Sequence, residues 1–257
     1  MAKHFIAGLT FLLCSIALPA WAATLVELQE SAARGDAVAQ TELGYRYAGG
    51  RGVPRDIQKA LALYRQAAAK GYAVAQTNLG YAYASGTGVR INFKTAADWF
   101  RKAAEQGYDS AQVNLGLLYL LGQGVEPNLK LALQWFQKGA AQNNAVAQYN
   151  LGVMYMDGRG VKEDLAVARG WFEKSAMQNN SDAQAALGSL YAGGKGVPRN
   201  MVTGYMWMIM AADRGNESAE KTLSLLASHM TLEQIEQAKQ LAREWKPVAQ
   251  EAKQTGK

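Results

Sequence analysis

Nucleophile and base chemistry has few places to reside in this chain. Ser218-Ala219-Glu220-Lys221 has the Ser-x-x-Lys spacing in which an amine can activate a serine for acyl transfer, as in β-lactam-reactive enzymes. The Ser-Asp-Asn and Lys-Thr-Gly elements that complete such sites are absent from the 257 residues. The two histidines are His4 and His229, and Cys14 is the single thiol. That composition leaves no His pair for zinc once a leader is removed, and one imidazole for a triad. Aspartates and glutamates are scattered, without a pair set for acid and base work. Gly50-Arg51-Gly52-Val53 and its four later copies have the composition of a phosphate-cradling loop, but such loops follow a strand, and here the flanks have helical periodicity. The residues point away from an enzyme, a metal site or a cofactor.

What would position any functional side chain is a beat of 36 residues. Leu43, Leu79, Leu115, Leu151, Leu187 and Leu223 mark it. Gln40, Gln76, Gln112, Gln148 and Gln184 precede the leucines by three residues, and Tyr47, Tyr83, Tyr119, Tyr155 and Tyr191 follow by four. A period of this size signals stacked supersecondary units, which put function on a repeated surface rather than in one pocket. Ser218 falls in a column otherwise held by Val38, Val74, Ser110, Val146 and Asp182, so its spacing to Lys221 is incidental to the repeat.

Each unit reads as two helices around a glycine bend. In the first helix, positions 75, 79, 80 and 83 are apolar or small and share one face. Gly44, Gly80, Gly116, Gly152 and Gly188 lie inside these helices, where glycine costs about 1 kcal/mol against alanine, and so predict a neighbouring helix at close approach. Asp56, Asn92, Asn128, Asp164 and Asn200 are N-cap residues for the second helix. That helix carries Trp99-Phe100, Trp135-Phe136 and Trp171-Phe172, with Leu63-Tyr64 and Trp207-Met208 as variants, then a pair of small residues such as Ala103-Ala104. It closes on a column of Gly35, Gly71, Gly107, Asn143, Asn179 and Gly215, the two residue types that enter the left-handed region most readily.

These residues in register, Ala-Gln, Leu-Gly, Tyr, Gly-x-Gly-Val, Asp or Asn, Trp-Phe and Ala-Ala, resemble the Sel-1-like repeat, a relative of the tetratricopeptide repeat, over roughly residues 24 to 228. The resemblance implies an all-α, right-handed superhelical solenoid of helix-turn-helix units whose first helices line a concave surface. It also implies a protein or extended peptide as partner. Some cysteine-rich members of the family are described as β-lactamase-like, a possibility that the mature chain's lack of cysteine does not favour. Related tetratricopeptide proteins hold a peptide backbone with an asparagine just before the Leu-Gly pair. Carried onto this chain, that gives Asn78, Asn114 and Asn150 as a ladder of amides, with Tyr45, Tyr81, Leu117, Tyr149 and Val153 as apolar neighbours. The structural alternative is that these asparagines bond within their own repeat. A second apolar site is Met206, Ile209 and Met210, where polar columns of the earlier copies turn apolar; burial under a C-terminal helix is the plainer explanation.

The ends divide the chain further. Lys3 and His4, the apolar run Phe5 to Leu18, Pro19 and Ala20-Trp21-Ala22 read as a signal peptide over 1–22, cleaved after Ala22. The product is expected in the periplasm, with no membrane span left after leader removal. Residues 23–35 form an N-terminal capping half-repeat, 36–228 five full repeats and a partial sixth, and 229–257 a capping helix and polar tail. In that last segment Thr231 and Gln234 form a capping box, Leu232, Ile235, Ala238, Ala242 and Trp245 make a stripe, and Pro247 ends it. The mature chain keeps 26 basic residues against 21 acidic, a net +5 with interspersed charges, which does not describe a nucleic-acid footprint. The sequence thus describes an exported, non-catalytic scaffold or adaptor. A cell-envelope glycan or peptidoglycan binder is the second reading, since tyrosine and tryptophan offer stacking surfaces, and a β-lactamase-like enzyme the third.

Overall fold

The computed structural model describes residues 24–245; the leader, its cleavage point and the tail past Trp245 lie outside the described residues. Thirteen α-helices and no strand are found among them. They are α1 (Leu25–Ala33), α2 (Ala37–Gly49), α3 (Ile57–Ala69), α4 (Ala73–Ser85), α5 (Phe93–Glu105), α6 (Asp109–Leu121) and α7 (Leu129–Ala141). After them come α8 (Ala145–Met156), α9 (Leu165–Ala176), α10 (Ser181–Gly193), α11 (Met201–Ala212), α12 (Glu217–Ala227) and α13 (Leu232–Glu244). They fall into two compact units. One runs to Ala111 and includes Gly122–Glu126; the other comprises Gln112–Leu121 and the chain from Pro127.

In the first unit α2 pairs with α3 and α4 with α5, and α3 lies against α4. The glycine inside each first helix is where the pair closes. A Cβ at Gly44 would lie 2.7 Å from Cε1 of Tyr64, and one at Gly80 2.5 Å from Cε1 of Phe100. The second helix therefore seats its second aromatic, not its tryptophan, on bare backbone. Phe100 is fully enclosed, while Trp99 is half-buried under the ammonium of Lys102, 4.4 Å from the ring centroid. The helix α1 packs on α2, with Thr24 and Glu27 exchanging both hydrogen bonds of a capping box.

The second unit repeats the device with α7–α8, α8–α9, α9–α10 and α10–α11 in contact. Gly116 faces Phe136 at 2.7 Å, Gly152 faces Phe172 at 2.5 Å and Gly188 faces Met208 at 2.8 Å, all measured from an added Cβ. The expected N-caps form: Asn128 Oδ1 accepts from Leu131 N, Asp164 Oδ1 from Ala166 N and Val167 N, and Asn200 Oδ1 from Thr203 N. Each cap also donates its own backbone N–H to the tyrosine that ends the preceding first helix, as Asn128 does to Tyr119 O at 2.9 Å, so the bend is clamped from both sides. The closing column is left-handed in every copy. Asn143 and Asn179 have φ of 62° and 65°, the two positive-φ residues among the described residues that are not glycine.

A glutamine pair adds register between hairpins. Gln106 Nε2 donates to Gln76 Oε1 at 2.8 Å in the first unit, and Gln142 to Gln112 and Gln178 to Gln148 at 2.9 and 2.8 Å in the second. At Gln76, Gln112 and Gln148 the invariant glutamine is thus a buried amide whose oxygen accepts from the next copy, whereas the oxygens of Gln40 and Gln184 find no such donor.

The helix α13 lies on α11 and covers its apolar face. Met206 and Met210 are buried there with Ala238, and Ile209, Ile235, Ala242 and Trp245 pack around them. The Trp245 ring meets Trp207 edge-on at 5.9 Å. Of the two readings of Met206, Ile209 and Met210, burial under the C-terminal helix is the one the packing fits, and the open second site is not formed: the polar columns turn apolar where α13 covers α11.

Candidate partner-binding surface

The asparagine column is distributed over both units. Asn78 lies in the first and is half-buried; Asn114 and Asn150 lie in the second and retain 8% and 5% of their surface. The Asn150 amide donates to Val146 O at 2.8 Å, one turn back on its own helix. That bond is the within-repeat role that asparagine can always take in a helix. It leaves Asn78 as the amide of the three with appreciable exposure.

The apolar neighbours divide similarly. Tyr45 and Tyr81 in the first unit, and Leu117 and Tyr149 in the second, are half-buried on the first helices. Tyr45 carries the Arg51 guanidinium 4.5 Å from its ring centroid, and Tyr81 meets Phe100 edge-on at 5.4 Å. Val153 does not belong with them. It keeps 3% of its surface and packs with Phe172 and Leu187, because its short side chain ends below Tyr149, one turn earlier in the same cluster. Val153 is therefore core and offers a partner nothing.

Two ionisable groups of the second unit are shifted from their ordinary values. Burial pushes the Tyr149 phenol up to about 12, with the carboxylates of Asp182 and Asp157 adding to the shift. Burial also raises Asp182, partly offset by the hydrogen bond from Asn216 Nδ2 at 2.9 Å. The Tyr149 phenol is therefore held neutral near neutrality, whereas Asp182 is exposed to solvent and its upward shift comes from partial desolvation alone.

The Ser-x-x-Lys spacing gains nothing from the fold. Ser218 and Lys221 are both exposed on α12, and no hydrogen bond joins them. His229 is exposed too, its Nδ1 3.0 Å from both Ser228 Oγ and Leu225 O. No group of three or more metal-ligating side chains comes together among the described residues. The tryptophans of the second helices are occupied as well: Lys138 and Lys174 lie 4.1 and 4.4 Å over Trp135 and Trp171.

One feature escaped the sequence reading. Beside α10, α11 and α12 lies an open cavity of about 370 Å³ lined by Ser189, Gly193, Arg199, Met208, Thr222 and Leu225 among others. The signal for it was present: Ser189 and Leu225 continue the column Tyr45, Tyr81, Leu117, Val153, and serine is the member of that column that fills least space.

The model of the Sel1 repeat matches five consecutive segments, 37–72, 73–108, 109–144, 145–180 and 181–216. The chain is a Sel1-repeat protein. It is similar to the solved Sel1 repeat protein of Oxalobacter formigenes, at 33% identity over 86% of this chain and 92% of that one, with a TM-score of 0.76. It is also similar to c5321, a protective antigen of uropathogenic Escherichia coli with the same repeat fold, at 30% identity and a TM-score of 0.57. That match spans 85% of this chain and 55% of the antigen. Among curated proteins none matches. The fold class is thus an all-α solenoid of Sel1 repeats, which typically mediate protein–protein interaction and serve as non-catalytic scaffolds. The matched segments begin at α2 and end before α12, so α1, α12 and α13 lie beyond the five repeats.

Proposed function

We propose that this Sel1-repeat protein is an exported adaptor that holds a segment of another protein against the side chains of its first helices and performs no catalysis. One observation carries the reading. Columns that stay fixed between copies are consumed by packing, whereas the position after the helix glycine changes from copy to copy and is half-buried as Tyr45, Tyr81 and Leu117, buried as Val153 and exposed as Ser189. Variation at an accessible position on a rigid repeat is what a recognition surface requires, while invariance is what stacking requires. Within this surface Tyr45, Tyr81, Leu117 and Tyr149 supply apolar contact, and Asn78 supplies an accessible amide. The export signal is the run from Lys3 to Ala22 in the sequence.

The test is site-specific photocrosslinking in intact cells. A crosslinker at Tyr45, Tyr81 or Leu117 should trap one and the same protein, and one at Leu232, exposed on α13, should not. The mature chain should begin at Ala23. Crosslinking only from Leu232, or retention on isolated cell wall without any protein product, would overturn the adaptor in favour of another surface or of the glycan reading.

A further inference from the structure

The first and fifth repeats share one bend almost residue for residue: Tyr47-Ala-Gly-Gly-Arg-Gly-Val-Pro-Arg55 against Tyr191-Ala-Gly-Gly-Lys-Gly-Val-Pro-Arg199. The backbone follows suit. Gly50 and Gly52 have φ of 69° and 71°, Gly194 and Gly196 of 66° and 68°. Arg55 Nε donates to Ala48 O at 3.2 Å, and Arg199 Nε to Ala192 O at 3.1 Å. The cation of the bend also takes the same course: from a Cβ added at Gly49, Arg51 Cγ is 3.5 Å away, and from one at Gly193, Lys195 Cγ is 3.6 Å away.

What differs is the side chain beneath that cation. In the first repeat Tyr45 fills the place and takes the Arg51 guanidinium on its face. In the second repeat Tyr81 holds the same column, edge-on to Phe100, and the bend carries Thr87 in place of the cation. In the fifth repeat the residue is Ser189, and the cavity of about 370 Å³ opens there. Its floor includes Met208, which occupies the column of Tyr64 and Phe100, and its far wall is Thr222 and Leu225 from α12 with His229 just after it. Leu225 is 63% exposed, an apolar edge without a covering partner among the described residues.

We infer that this cavity receives an aromatic side chain from a partner protein, the ring taking the place that Tyr45 holds in the first repeat. The volume admits it, since an apolar cavity of about 150 Å³ is enough for benzene. The chemistry fits on both faces: Met208, whose sulfur makes favourable contacts with rings, and Arg199 among the lining residues, whose charge is attracted to a ring face. An aliphatic occupant would gain apolar burial but neither the sulfur–ring nor the cation–ring contact. The inference rests on the adaptor reading for the source of the ring, but its test does not, because the pocket can be probed without the partner.

The probe is p-cresol, the tyrosine side chain as a free molecule, titrated into the isotopically labelled mature chain and followed by amide NMR. Saturable shifts confined to Ser189, Gly193, Thr222 and His229 are expected, with a Kd on the order of 10 mM for so small a ligand. Cyclohexanol, of similar size without a π face, should bind several-fold more weakly. Ser189→Tyr, which builds the ring into the chain as the first two repeats do, should abolish the shifts; if that variant does not fold, Ser189→Leu, the residue of the third repeat, should weaken them at least tenfold. Absence of saturable shifts, shifts spread over both units, equal affinity for cyclohexanol, or unaltered binding in a folded Ser189 variant would each overturn the assignment. A failed crosslink with an intact p-cresol site would sink the adaptor reading and leave the pocket.

Discussion

Two glycines in adjacent helices of one hairpin give opposite expectations for the same substitution. Gly152 in α8 faces the Phe172 ring, and an added Cβ would stand 2.5 Å from both Cδ1 and Cε1 and 3.0 Å from Cζ. Gly170 in α9 has nothing within 4 Å of an added Cβ. Both sit in helix interiors, so alanine gains about 1 kcal/mol of helix propensity at each. At Gly170 that gain stands alone, and Gly170→Ala should stabilise by up to about 1 kcal/mol. At Gly152 the ring is about 1 Å too close for ordinary contact, and Phe172 is completely buried, so it has no solvent into which to swing. Overpacking of this kind costs about 1–3 kcal/mol. The net effect of Gly152→Ala is then a loss of up to about 2 kcal/mol.

The difference between the two variants isolates the overpacking contribution, since propensity enters both alike. Urea unfolding of the mature chain, with common slope as the check that the same surface is exposed, should separate their midpoints in opposite directions from wild type. Adding Phe172→Leu to Gly152→Ala should recover part of the loss, whereas Phe172→Leu alone should destabilise by leaving a void. Equal shifts for Gly152→Ala and Gly170→Ala would refute the claim that repeated helix glycines exist here for ring contact.

Three further outcomes follow from other positions. Asn143→Ala should be less stable than Asn143→Gly by about 1–2 kcal/mol in urea, the cost of a Cβ in the left-handed region; Asn143→Gly itself loses the acceptor for Gln148 and Gln178 and should not exceed wild type. Trp245→Ala should cost on the order of 2 kcal/mol, below the range for a wholly buried ring, and should increase binding of an apolar dye as the Met206 and Met210 face loosens; unchanged dye binding would mean that α13 does not depend on this contact. For Asp182, the folded-state pKa is raised, so its contribution is fully present below the unfolded value near 3.8 and is lost as pH rises through the folded value. Asp182→Asn should therefore raise the Tm at pH 7 and leave it unchanged at pH 3; a pH-independent difference would contradict burial as the cause.

The repeat made most of this fold legible because a 36-residue register supplies its own controls. A position that is glycine five times inside a helix, or alternates only between glycine and asparagine after one, states a backbone requirement whatever the surroundings. Depth on a helix face is not stated in that way. Val153 shares its column with Tyr45, Tyr81 and Leu117, yet a valine ends where a tyrosine is still emerging, so register alone assigned it to the surface while side-chain length put it in the core. At Asn150 two readings stay open in the sequence for a related reason: its amide can be satisfied by a carbonyl four residues back, as it is here, and no pattern between repeats records that choice. The same logic explains why the pocket at Ser189 was missed. A cavity is written in a sequence as subtraction, here a serine where the first two copies carry a ring. In a repeat protein, the copy that has lost a packing side chain while keeping the bend beside it is the place where a partner can supply the missing group, and Ser189, which lines the cavity with Arg199, meets that description.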